Sequence, residues 1–145
     1  MADPNIATPV IVPGLRGGST SQILKKNSNT DFDYGWGAGY LETVEAIGNS
    51  GTTKTLNGPA SGTMKTVTLN NNCTFTMPSA VAGESFSLEM TQDGTGSRIP
   101  TFTSVRWSSG SMPAASTAIN AIDVLAFACF DGTHWEGVQV AKGLA

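Results

Sequence analysis

The chain is short of the side chains on which most enzyme chemistry depends. It has one histidine, two cysteines and only 13% charged residues in 145. A single histidine with no Cys or His cluster around it cannot supply the ligand spacing of a zinc centre. No Gly-x-Ser-x-Gly elbow, phosphate-binding loop or dinucleotide fingerprint occurs, so no catalytic residue, metal or cofactor is expected. No apolar run approaches the roughly 18 residues of a membrane-spanning helix, and no basic stretch leads into an apolar one at the start. The eight Lys and Arg are scattered apart from Lys25-Lys26, and the net charge is -3. That leaves no basic face for nucleic acid. Membrane insertion is not expected either, and assembly in a cytosol follows most simply. Few Glu, Lys and Arg also means little material for exposed helix faces, whereas 17 glycines with abundant Ser, Thr and Asn favour strands and turns.

What is present is β patterning. Val67 and Leu69 alternate with Thr66 and Thr68. Cys73, Phe75 and Met77 alternate with Thr74 and Thr76, and Phe86, Leu88 and Met90 with Ser87 and Glu89. Each predicts a strand with one wet face. Ile122 to Phe130 is apolar on both faces except Asp123, which predicts a strand covered on both sides. Turn residues punctuate the pattern at Asn70-Asn71-Asn72, Pro78 to Gly83, Asp93-Gly94-Thr95-Gly96 and Asp131-Gly132. The expected fold is all-β, a sandwich or jelly-roll-like module of about seven or eight short antiparallel strands over residues 51–145. Cys73 and Cys129, both inside apolar runs, read as buried thiols, with a disulfide as the alternative.

Ahead of the module lie two different segments. Residues 1–22 space Pro4, Pro9 and Pro13 around the β-branched run Val10-Ile11-Val12, which favours an extended arm over a helix. Such an arm either stays solvated or adds to a neighbouring sheet. Residues 23–50 hold Phe32, Tyr34 and Trp36 in alternation with Asp31, Asp33 and Gly35. Period two puts the three rings on one face, an anchor strip, with Asp31 and Asp33 on a solvated opposite face. Gly39 to Gly48 fits a short helix or a strand and is treated as a connector. Val10, Ile11, Val12, Phe32, Tyr34 and Trp36 are the candidate docking residues.

Two further readings stay open. Trp107 and Trp135 offer flat surfaces to sugar rings, against which stands ordinary packing of large rings in a core or interface. Asp93, Asp123, Asp131 and Glu136 supply carboxylates for glycoside cleavage. Turn capping accounts for Asp93 and Asp131, and Asp123 is the one least explained by turn chemistry.

The stretch Leu24-Lys25-Lys26-Asn27-Ser28-Asn29-Thr30-Asp31-Phe32-Asp33-Tyr34-Gly35-Trp36 resembles a short motif near the start of tailed-bacteriophage fibre and appendage proteins. The stretch from Val67 to Ala145 is similar to a β module of phage virion proteins. It carries Thr91-Gln92-Asp93-Gly94-Thr95-Gly96-Ser97-Arg98, Val105-Arg106-Trp107, Ile122-Asp123-Val124-Leu125 and Asp131-Gly132-Thr133-His134-Trp135-Glu136-Gly137. The resemblance implies a virion component, commonly a homotrimer, fixed to tail, baseplate or major capsid protein by its amino-terminal part. A short tail fibre or appendage is one expectation. The brevity of the chain fits the other, a capsid decoration or cement protein, and a tip that recognises host surface glycan is a third.

Overall fold

The computed structural model describes residues 19, 22–31, 33–38 and 42–145, with Ala38 described by its backbone alone. Contacts divide the chain into two units between Leu41 and Glu42. The first holds an antiparallel hairpin of β1 (Gln22–Lys26) and β2 (Tyr34–Ala38). The second holds β3 (Val44–Asn49), β4 (Thr53–Thr55), β5 (Met64–Leu69), β6 (Cys73–Thr76), β7 (Ser85–Gln92), β8 (Pro100–Thr103), β9 (Val105–Trp107), β10 (Ile122–Ala128) and β11 (Trp135–Leu144). The described residues contain no α-helix, only a 3-10 turn at Pro59–Ser61.

The all-β expectation is met, and β4 to β11 are eight strands. Their pairing differs from the antiparallel one expected. Successive strands alternate between two sheets, so that β3, β5 and β7 pair in parallel in one sheet while β4, β6 and β8 pair in parallel in the other. The chain therefore winds as a flattened coil of three rungs, not as the hairpins of a jelly roll. Within the second unit antiparallel pairing is confined to β10, which lies between β7 and β11, and β9 closes the six-stranded sheet by pairing in parallel with β11.

Period-two alternation specifies which face of a strand is buried but is blind to the direction of its neighbour. The corners decide the direction. Asn70-Asn71-Asn72, a tight turn in sequence, carries the chain from one sheet to the other instead of folding it back. Asn70 Oδ1 accepts the Gly51 N–H of the preceding rung at 2.9 Å, and Asn72 Oδ1 accepts the Ile99 N–H of the following rung at 2.9 Å. At the third corner Asp93 Oδ1 accepts from Thr95 and Gly96 N–H, both at 2.9 Å, and its carboxylate binds Arg98. Gly96 sits at φ +71 with a Cβ position only 2.6 Å from the Thr117 carbonyl, so the corner admits no side chain there. The segment read as a connector at 39–48 holds most of β3, and the second unit by contacts begins at Glu42.

Inward-facing residues fill the space between the sheets. Val67, Leu69, Cys73, Phe75, Met77, Phe86, Leu88 and Met90 are buried, as the alternation requires, with Leu56, Leu125, Phe127, Cys129 and Trp135. Phe127 meets Phe86 at 5.1 Å, Phe102 at 5.4 Å and Trp107 at 5.9 Å between centroids, joining rings from both sheets. Cys73 and Cys129 are free buried thiols, and burial pushes the Cys73 thiol up. Facing outward on the three-stranded sheet, Thr53, Thr74 and Thr101 form one row and Thr55, Thr76 and Thr103 a second. At the β5 end of the core Lys65, 1% exposed, binds the Glu45 carboxylate and lies 5.3 Å from the Phe86 ring centroid. The Lys65 ammonium holds the Glu45 carboxyl below its usual value of 4.5.

Two predictions follow from this core. Phe127→Ala removes a ring packed against three others and should cost about 3–5 kcal/mol in denaturant unfolding. Glu45→Gln leaves Lys65 buried without its anion and should destabilise the module. Because the folded Glu45 value is depressed, its contribution is present above pH 4.5 and lost as pH falls through the folded value. The stability curves of wild type and Glu45→Gln should therefore separate near neutrality and converge in acid.

Candidate docking surface

The hairpin of the first unit sorts its residues onto two unlike faces. Leu24 stands opposite Trp36 and Lys26 opposite Tyr34, so these four share one face; Ile23 and Lys25 stand opposite Gly37 and Gly35 on the other. On the second face the side chains of Lys25 and Asn27 fold over the glycines. A Cβ on Gly37 would lie 2.6 Å from Lys25 Cε, and one on Gly35 2.9 Å from Asn27 Nδ2. Alternating glycine with Tyr34 and Trp36 lets Lys25 and Asn27 fold across one face, where Ile23 stands 54% exposed, and leaves the rings on the other. Leu24 is 44% exposed, Tyr34 42% and Trp36 37%.

The polar run between the strands closes this hairpin. Asn27 N–H donates to the Asp33 carbonyl at 2.9 Å, Ser28 Oγ donates to Asp33 Oδ2 at 2.5 Å, and Asn27 Nδ2 donates to Asp33 Oδ1 at 3.3 Å. The Ser28 side chain first and then that of Asn27 draw the Asp33 carboxyl below its ordinary value. Asp33 therefore organises the loop rather than lying on a merely solvated face. Tyr34 and Trp36 share a face as period two predicts, whereas Val10, Ile11, Val12 and Phe32 lie outside the described residues. Leu24 was not among the candidates. Pairing the two strands across the Asn27–Asp33 loop is what places it beside Trp36, and a reading of one strand at a time does not reach that far.

Of the tryptophans weighed for sugar, Trp135 is committed to the core and Trp107 packs against it. Trp135 is 1% exposed, packs edge-on to Phe86 at 5.1 Å, and donates from Nε1 to the Pro78 carbonyl at 2.9 Å. Its ring has no free face, which removes it as a glycan contact. Trp107 is half-buried, lying edge-on to Phe102 at 6.0 Å and to Phe127 at 5.9 Å. A Cβ on Gly137 would fall 2.6 Å from its ring, so the strand opposite presses against it as well.

The carboxylates have structural partners of their own. Asp123, 3% exposed, accepts from Ser116 N–H at 2.7 Å, Ser116 Oγ at 2.6 Å and Gly143 N–H at 2.8 Å. It ties the loop before β10 to the end of β11. Asp131 accepts Thr133 and His134 N–H, both at 2.8 Å, and Arg106 Nη2 at 2.6 Å. The Thr133 amide first, then the His134 side chain and amide, pull its carboxyl far below the ordinary range. His134 Nδ1 contacts both Thr133 Oγ1 at 2.7 Å and Asp131 at 3.0 Å. Both contacts fall on one ring nitrogen, so the imidazole cannot relay a proton from the hydroxyl to the carboxylate. Among the described residues no group of three or more His, Cys, Asp or Glu is placed to hold a metal ion.

Asp123→Asn turns an amide N–H toward donors that require an acceptor and should lower unfolding stability by about 1–3 kcal/mol, read by thermal or denaturant melting. Comparison with protein-family models, curated proteins and solved structures finds no match for the chain.

Proposed function

We propose that this chain is a non-enzymatic structural protein of a tailed-bacteriophage particle, a short trimeric tail fibre or appendage that docks on the particle through its amino-terminal part. The observation that carries this reading is the aromatic face of the hairpin. A two-stranded ribbon is marginal by itself in water, and here it exposes Leu24, Tyr34 and Trp36 together on one face. Burying a side chain of that size is worth roughly 1.5–3 kcal/mol, and aromatic anchors of this kind carry a large share of the energy at protein interfaces. The strip therefore serves as an anchor for another virion protein. The resemblance of this same stretch to the start of phage fibre proteins supports the choice of partner. Val10, Ile11, Val12 and Phe32 belong to the proposed anchor on sequence grounds.

The compact unit is then the part displayed. Threefold repetition would multiply weak contacts through high effective concentration, so each hairpin need bind only modestly. Tail and capsid locations differ in the surface the strip meets, tail or baseplate protein in the first case and capsomer junctions for a decoration protein in the second. Burial of Trp135 leaves half-buried Trp107 as the candidate contact of the glycan-binding reading.

Replacing Leu24 and Trp36 together by Ala should abolish incorporation into particles, measured by co-sedimentation, while the melting of the β unit stays unchanged. Incorporation equal to wild type would overturn the anchor. Imaging labelled chain on whole particles tells tail from head.

A further inference from the structure

Lys65 is the one lysine buried among the described residues, and its surroundings hold more than an ion pair. Its Nζ donates to Glu45 Oε2 and to the Gly58 carbonyl at 3.4 Å, and lies 5.3 Å from the Phe86 ring centroid. The other oxygen of the same carboxylate, Glu45 Oε1, accepts from Asn57 Nδ2 at 2.6 Å. Glu45 therefore holds a primary amine on one oxygen and a carboxamide on the other. The Gly58 carbonyl that Lys65 also reaches belongs to the residue next to Asn57, which keeps the amine close to that carboxamide. The fold assembles the three groups. Glu45 and Lys65 are register partners on β3 and β5, and Asn57 lies in the corner that leads from β4 through the 3-10 turn to β5.

The geometry points to an amide bond between Lys65 Nζ and Asn57 Cγ, formed after folding with Glu45 as the proton carrier. Separated charges are disfavoured where water is excluded, so passing one ammonium proton along the existing hydrogen bond to Glu45 Oε2 yields a neutral amine more readily than in water. The Nζ lone pair attacks Asn57 Cγ, and the carbonyl pair moves onto Oδ1. A second proton leaves Nζ, and Glu45 passes two in turn to Nδ2. The pair on Oδ1 re-forms the carbonyl, the Cγ–Nδ2 bond breaks, and the nitrogen departs as ammonium. One lysine ammonium and one carboxamide thus become one secondary amide and one ammonium ion. Glu45 ends as the carboxylate it was, and no oxidant or further reactant is consumed.

A base within hydrogen-bond reach of both the nucleophile and the leaving group is what such a transfer requires. Holding both on one carboxylate also lowers the entropic cost of bringing them together. Asn57 stands exposed at the edge of the site, which gives the departing nitrogen a way to solvent. The link fastens the β4–β5 corner covalently to β5. Until it forms, Lys65 and Glu45 keep their ion pair, and Asn57→Ala keeps it permanently. This chemistry goes beyond the docking role proposed above and does not depend on it.

Mass spectrometry of the full chain, purified folded and then denatured, tests it. Wild type should weigh less than its sequence requires by one ammonia, and trypsin should fail to cut after Lys65, with fragmentation placing the link at Asn57. Asn57→Ala should carry its full mass and be cut after Lys65. Glu45→Gln, scored in material that keeps the wild-type far-UV circular dichroism, should link about a hundredfold more slowly or less. A wild type of full mass overturns the inference. Loss of ammonia with Lys65 still cut marks a succinimide at Asn57-Gly58 and overturns it as well, and linkage at the wild-type rate in folded Glu45→Gln removes Glu45 as the carrier.

Discussion

The rings of Phe102 and Phe127, 5.4 Å apart between opposing sheets, are the contact on which the arrangement of the β unit turns. Every inward residue must reach across to the other sheet, and each sheet needs the other to bury its apolar face. Alternating the strands between sheets satisfies this at every rung, since each arriving strand finds an apolar surface waiting on the opposite side. Phe75 stacks on Phe102 within one sheet, and Phe86 and Trp135 extend the cluster within the other. The corner residues follow from this need. They turn the chain through a sheet-to-sheet step while keeping their own polar groups bonded to the rungs above and below.

How much of this was legible in the sequence depends on the range of the signal. The buried faces of β5, β6 and β7 follow directly from Val67, Leu69, Phe75, Phe86 and Leu88, because alternation is local. The β10–β11 hairpin was equally plain from Asp131-Gly132. Strand direction was not, since Asn70-Asn71-Asn72 and Asp93-Gly94-Thr95-Gly96 are as good at turning a corner as at reversing a chain. What separates the two outcomes is the partner of Asn70 Oδ1, Gly51, nineteen residues away, and no window on the sequence contains both. β3 escaped for a related reason. Leu41, Val44 and Ile47 fit a short helix while Thr43 and Val44 fit a strand, and only parallel pairing with β5 decides.

The candidate surface divides along the same line. Tyr34 and Trp36 were visible as a strip, but the role of Asp33 as the acceptor that closes the loop is a matter of three-dimensional convergence on one carboxylate. Asp123 shows the same effect more sharply. A carboxylate in an apolar strand has the look of chemistry, and its purpose becomes clear only when Ser116 and Gly143 are seen to converge on it from two loops. Likewise the apolar outer side of β10, with Ile122, Val124, Ala126 and Ala128, is legible in composition, but that these four are only half-buried is not.

The three rungs have a consequence for how such a unit changes length over evolutionary time. β3 and β4 are the outermost strands of their sheets at the first rung, and each presents its outer backbone edge. Every turn of the coil advances by one strand spacing, about 4.8 Å, and repeats the same two-sheet cross-section. Duplication of a two-strand segment thus lengthens the unit by a whole step and leaves the register of existing pairs intact. Height in this architecture comes in discrete increments, a ruler cut in rungs, and the β10–β11 hairpin marks the end where counting stops.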